Sequence, residues 1–109
     1  MSLTYRYRAR LPDPASFLTL GDETLSEGDA STTNMTFQLV RAADGYGDIE
    51  FDYETVAVTA TPGVDYTHVS GSDVISSGET IDIDVPIIGD TDVESDETFQ
   101  LRIFNIDWV

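Results

Sequence analysis

Four stretches of this chain alternate apolar and polar residues one by one: Met35, Phe37 and Leu39; Ile49, Phe51 and Tyr53; Ile81, Ile83, Val85 and Ile87; and Phe99, Leu101 and Ile103. A period of two places successive side chains on opposite faces of an extended backbone, so each stretch specifies a strand with one face in a core and the other in water. The apolar positions are mostly β-branched or aromatic, which suits a pleated, half-buried surface. Between the stretches lie turn formers: Asp44-Gly45-Tyr46-Gly47, Thr61-Pro62-Gly63, Ser70-Gly71-Ser72 and Ser76-Ser77-Gly78. No window shows the 3.6-residue period of an amphipathic helix. The expectation is strands near 4–11, 15–26, 34–41, 48–58, 64–69, 73–76, 79–88 and 97–104, packed as an all-β, antiparallel β-sandwich of immunoglobulin-like shape.

A chain of 109 residues builds one such core. Twenty-one acidic residues against five basic ones give a formal charge of -16, and three of the five are Arg6, Arg8 and Arg10. So acidic a surface repels nucleic acid and anionic membranes and attracts cations and basic partners. The absence of cysteine rules out disulfides, thiolate metal sites and sulfur redox chemistry. No run approaches the ~20 apolar residues of a membrane span, and the N-terminus has no signal-peptide core, so no membrane insertion is expected; Met1-Ser2-Leu3 reads as a leader. High acidity alone would also suit a disordered chain, but disorder does not require apolar residues in strict alternation.

The acidity peaks at Gly89-Asp90-Thr91-Asp92-Val93-Glu94-Ser95-Asp96-Glu97-Thr98-Phe99, which holds five carboxylates and no basic residue. Two readings are open: a solvated face, or a set of hard oxygen ligands for a cation such as Ca²⁺, which takes six to eight oxygens. An EF-hand is excluded. Counting from Asp90, the obligatory glycine falls on Ser95 and the bidentate glutamate on Leu101.

Four short motifs follow one another in a set order: Leu25-Ser26-Glu27-Gly28-Asp29, Val64-Asp65-Tyr66-Thr67, Ser77-Gly78-Glu79-Thr80, and the acidic run ending in Asp96-Glu97-Thr98-Phe99. Each is weak alone, but in this order across residues 15–104 the chain resembles the Calx-β domain family. That resemblance implies a seven-stranded sandwich with Ca²⁺ bound at one end, as in exchanger regulatory loops and bacterial surface proteins. Carried over by position, it implies metal ligands at Glu27, Asp65, Asp90, Glu94 and Glu97, with Asp92 where the family offers a main-chain carbonyl. Gly89 and Thr91 replace acidic positions of the family, and the family's final strand, with its closing carboxylates, is missing from the C-terminus. The expectation is at most one or two Ca²⁺ sites of modest affinity, unless another segment supplies the absent carboxylates. Asp65 has an alternative role, capping backbone N–H groups of its own loop.

No catalytic constellation accompanies these residues. His68 stands alone, there is no lysine, and a sandwich of this size has little room for a glycosidase cleft, so the chain is read as no enzyme. The functional expectation is a non-catalytic calcium-binding structural or adhesion module of a larger extracellular or cell-surface protein. The alternatives are a metal-free spacer or interaction repeat and, behind it, a carbohydrate-binding sandwich using Tyr5, Tyr7, Tyr46 and Trp108. Asn34-Met35-Thr36 matches a glycosylation sequon, a pattern common by chance.

Residues 15–109 are expected to form the sandwich, and residues 1–14 a separate N-terminal strand and link. Thr4–Leu11 sets Tyr5, Tyr7, Ala9 and Leu11 against Arg6, Arg8 and Arg10, one face basic. The link from Leu11 to Ala15 spans at most about 17 Å. A seven-residue strand is about 23 Å long. Insertion into the chain's own empty last-strand slot therefore looks strained, and exchange of this strand with a neighbouring domain or a second copy is the alternative; a frayed leader or an edge strand in its own sheet remain beside it. The apolar tail Phe104–Val109 either packs back on the sandwich or marks where a missing strand begins.

Overall fold

The computed structural model describes residues 11–25, 32–89 and 97–109. After a 3-10 turn at Pro14–Phe17 come six strands: β1 (Leu18–Leu20), β2 (Thr32–Arg41), β3 (Ile49–Ala57), β4 (Ser70–Ile75), β5 (Thr80–Ile88) and β6 (Phe99–Trp108). They form two three-stranded antiparallel sheets, ordered β1-β2-β5 and β4-β3-β6. The core lies between them, and the period of the sequence explains it. Phe37 and Leu39 stand opposite Ile83 and Ile81 across β2 and β5, while Ile49, Phe51 and Leu101 face them from the second sheet. Each such side chain contributes about 1.5–3 kcal/mol by leaving water.

Three expected elements differ. Residues 15–26 do not run as one strand: Asp13 caps the turn at Pro14–Phe17 through Ala15 N (3.0 Å), and only Leu18–Leu20 pairs with β2. Residues 64–69 form a loop. The Thr61-Pro62-Gly63 turn draws its backbone inward, with Gly63 at φ 82° and its N–H donated to Tyr66 O at 2.7 Å, so only isolated bridges at Tyr66 remain. The fourth strand begins at Ser70 because Gly71 is no turn residue; it lies opposite Tyr53, and a Cβ there would come within 2.6 Å of the Tyr53 hydroxyl. Glycine in a strand marks such a close approach. The expected strand at residues 4–11 lies outside the described residues except for Leu11.

β6 continues to Trp108, beyond the expected limit of 104, by means of a bulge. Its pairing with β3 shifts by one between Glu50 and Asp52, and Asn105 there adopts φ 50°, a left-handed conformation that asparagine tolerates. The tail thus packs back on the sandwich. Trp108 meets Phe17 and Tyr46 at ring-centroid distances of 6.0 and 5.7 Å, and its indole Nε1–H donates to Pro12 O at 3.0 Å.

The same end of the sandwich holds Arg41, 1% exposed at the end of β2. Its guanidinium donates twice to Asp44 (2.8 and 3.1 Å), to Ile75 O (2.8 Å) and to Tyr46 O (3.3 Å), and it lies 5.5 Å from the centre of the Trp108 ring. A planar fork with several donors is what a buried cation needs. Hydrogen bonding from Arg41 holds the Asp44 carboxyl below its ordinary 3.8.

Candidate metal-binding end of the sandwich

Strand direction decides which loops meet. β2 begins where β5 ends, since Thr32 pairs with Ile88; β6 begins where β3 ends, since Phe99 pairs with Ala57. The segments before β2, after β3, after β5 and before β6 therefore open at one end, opposite Arg41 and Trp108. Those segments carry all six candidate ligands: Glu27 before β2, Asp65 after β3, and Asp90, Asp92, Glu94 and Glu97 between β5 and β6.

Short backbone contacts join the segments. Ile88 N–H donates to Asp65 O at 2.9 Å, and Thr67 N–H to Pro86 O at 2.9 Å, which pins the 58–69 loop to the last residues of β5. On its other flank, Thr59 and Ala60 both donate to Thr98 O at 2.9 Å, and Thr98 N–H donates to Thr59 Oγ1 at 2.8 Å. The chain leaving β5 and the chain entering β6 are thus tied to one and the same loop.

Asp65 and Glu97 are the candidates among the described residues; Glu27, Asp90, Asp92 and Glu94 lie outside them. Asp65 is 6% exposed, and its Oδ2 accepts Thr61 N–H at 2.7 Å while its own N–H donates to Thr61 O at 2.9 Å. Its carboxylate therefore closes the turn around Pro62-Gly63, the capping role open from the sequence. Among the described residues only Oδ2 receives a hydrogen bond. Glu97 is exposed, two residues before β6 begins. Among the described residues no three of the His, Asp or Glu side chains gather closely enough to hold a metal. The donor chemistry still suits a hard cation, because residues 21–35, 58–69 and 89–99 contain carboxylates and no lysine or arginine.

Next to Asp65 is a group the sequence did not single out. Tyr66 is 1% exposed, its ring stacks on Phe99 at 4.4 Å between centroids, and its buried hydroxyl has no hydrogen-bond partner among the described residues. Burial pushes the phenol above its ordinary 10; the neighbouring Thr55 hydroxyl opposes the shift without completing a hydrogen bond of good geometry. Thr55 Oγ1 is engaged elsewhere, accepting Val69 N–H at 3.1 Å and meeting His68 Nδ1 at 2.7 Å. The lone histidine thus ties a loop to β3 through the Thr55 hydroxyl.

Outside this end, an open groove of ≈ 540 Å³ crosses the outer face of the second sheet, lined by Glu50, Asp52, Ser72, Asp73 and Asn105 among others. Ser72 Oγ (2.6 Å) and Asn105 Nδ2 (2.8 Å) both donate to Asp52 and hold its carboxyl below 3.8. Of the aromatics considered for sugar binding, Tyr46 and Trp108 pack in the Arg41 cluster, Tyr46 with 43% of its surface exposed, and Tyr5 and Tyr7 lie outside the described residues.

Two packed antiparallel sheets, with the loops at one end joined by short backbone contacts, define a β-sandwich module. The model of the Calx-beta domain family matches residues 15–109, and the chain belongs to that family. It is 31% identical over 78 residues to Adhesion G-protein coupled receptor V1 of Danio rerio, a match covering 71% of this chain and 1% of the receptor. Among solved structures it is similar to the apo-form Calx CBD1 domain (TM-score 0.62, 28% identity, 68% of this chain and 66% of that one). It is also similar to the calcium binding domain CBD12 of CALX1.1 (TM-score 0.60, 28% identity, 67% of this chain and 31% of that one). The chain therefore spans less than two thirds of each of these relatives. Among the described residues no helix is long and apolar enough to cross a membrane.

Proposed function

We propose that this chain is a non-catalytic, calcium-binding structural or adhesion module of a larger extracellular or surface protein, with residues 15–109 as the module and residues 1–14 as a separate strand and link. The observation that supports this reading is that the described flanks of three acidic segments meet at one end, where Thr32 pairs with Ile88, Ile88 N–H reaches Asp65 O, and Thr98 O accepts from Thr59 and Ala60. Glu27, Asp65, Asp90, Asp92, Glu94 and Glu97 would supply oxygens to Ca²⁺, which would relieve their mutual repulsion. Kinship to a calcium binding domain and to an adhesion receptor supports both the ion and the surface location.

Calcium titration followed by thermal melting tests the proposal. A cation that binds only the folded form, present at a hundred times its dissociation constant, adds about 2.7 kcal/mol. Asp65→Asn separates the two roles of that residue, because the amide oxygen still accepts Thr61 N–H while the charge is gone. The expected result is an unchanged melting temperature without calcium and a reduced calcium-induced rise. Absence of any rise at millimolar calcium in the unaltered chain would overturn the reading. It would promote the metal-free spacer, which the Asp65 to Thr61 hydrogen bond favours.

A further inference from the structure

β4 departs from the alternation that places its neighbours. Its core-facing row is Gly71, Asp73 and Ile75, which stand opposite Tyr53, Phe51 and Ile49 of β3. Ile75 and Phe51 are buried, yet the position between Gly71 and Ile75 is an exposed carboxylate where the period of two calls for an apolar residue. β4 has six residues and, among the described residues, pairs with β3 alone, so it is an edge of the second sheet. A charge on the core-facing row of a short edge strand is one of the means by which proteins keep such an edge from pairing.

The backbone register shows what this carboxylate holds. Thr55 N–H donates to Val69 O at 2.9 Å, a bond of the kind that flanks a pair whose own N–H and C=O groups face away from each other. Glu54 and Ser70 are therefore such a pair, and by alternation so are Asp52 with Ser72 and Glu50 with Val74. The N–H and C=O groups of Ser70, Ser72 and Val74 thus point away from β3, to the rim of the sheet. Asp73 Oδ1 accepts one of these donors, Val74 N–H, at 2.7 Å. Two residues earlier the Tyr53 ring covers Gly71, as aromatic side chains do at glycines of edge strands. We propose that Asp73 locks this edge: its carboxylate occupies Val74 N–H and so keeps β4 from pairing with β4 of a second copy of the chain.

Apart from that one donor the rim is self-complementary. Two copies of β4 laid antiparallel about a two-fold axis at Ser72 set Ser72 against Ser72, and Ser70 of each copy against Val74 of the other, which is what a two-fold interface requires. In that register Val74 N–H of each copy would donate to Ser70 O of the other. With Asp73 in place both of those donors are taken, and the ladder would be broken at each end.

Sedimentation over a range of concentrations, on the full chain and on its Asp73→Ala and Asp73→Asn variants, tests this. About 1 M salt, with a Debye length of about 3 Å, removes repulsion between the acidic faces as a cause. Alanine frees Val74 N–H, whereas the asparagine Oδ1 still accepts it and only the charge is lost. Two freed donors, one in each copy, are expected to tighten self-association of Asp73→Ala at least about tenfold over that of the unaltered chain, and Asp73→Asn is expected to match the unaltered chain. Ser72→Cys in each background locates the contact, since the chain has no cysteine of its own. The two-fold axis puts the two position-72 Cα atoms about 5.5 Å apart, within reach of a short thiol-to-thiol linker, and cross-linked dimer is expected to be about tenfold enriched with Asp73→Ala. Equal association of Asp73→Ala and the unaltered chain would overturn the proposal. So would association that yields no cross-link, which would place the contact elsewhere, or tight association of Asp73→Asn, which would make the charge and not the hydrogen bond the lock.

Discussion

Replacing Tyr66 with phenylalanine should stabilise this protein, although it removes a polar group from the best-packed part of the loop end. The ring keeps its stack on Phe99, and only a hydroxyl that is buried and unpartnered among the described residues is lost. Leaving such a group without a hydrogen bond costs about 1–3 kcal/mol. A gain of about 1 kcal/mol is expected, equivalent to about 4 °C in a domain of this size. Chemical denaturation at pH 7 measures the difference. An alkaline series supplies an independent check, because the folded phenol ionises above its ordinary 10. The unfolded chain ionises first as pH rises, so the unaltered protein loses stability above about pH 10 and the variant lacks that component. The gap between them should widen with pH. A variant that is less stable by 1 kcal/mol or more, with a gap that stays flat, would refute the reasoning and show that the hydroxyl is satisfied.

Arg41→Ala should cost about 3–5 kcal/mol by emptying a packed site and dissolving a buried ion pair, whereas Arg41→Met should cost much less, as an apolar side chain of similar volume often replaces a buried charge without loss; urea melts of both distinguish packing from charge. The carboxyls of Asp44 and Asp52 are both held below 3.8, so their contribution is complete well above that value and is lost as pH falls through it. Thermal melts should therefore fall off below about pH 4, and less so in an Asp52→Asn variant. Gly71→Ala should destabilise by about 1–3 kcal/mol through the clash with the Tyr53 ring, and in a Tyr53→Ala background the same change should be neutral or favourable, which a double-mutant cycle reads directly.

The strands that bury one clean face were legible in the sequence: β2, β3 and β5 fall within two residues of the expected limits because alternation is a local signal. Gly71 was not, since the reason for it is a tyrosine eighteen positions away, brought opposite only by pairing. Val64 to Val69 alternates like a strand, but Pro62 and Gly63 commit that backbone to a turn which Asp65 then closes. Arg41 carried a usable signal that went unread. It continues the inward row of Met35, Phe37 and Leu39, and Asp44 follows three residues later, which is how a buried cation paired with its own turn looks in sequence. For the candidate metal end, motif order located the loops, and the contacts at Ile88 and Thr98 bring their flanks together.

The hydrogen bond between Trp108 and Pro12 also fixes how the domain bears load. Pro12 and Trp108 lie at the same end, so tension applied through them meets the Leu18 to Arg41 and Ile49 to Trp108 pairs first. Antiparallel ladder bonds stand across the strands, and loaded from one end they open singly, like a zipper.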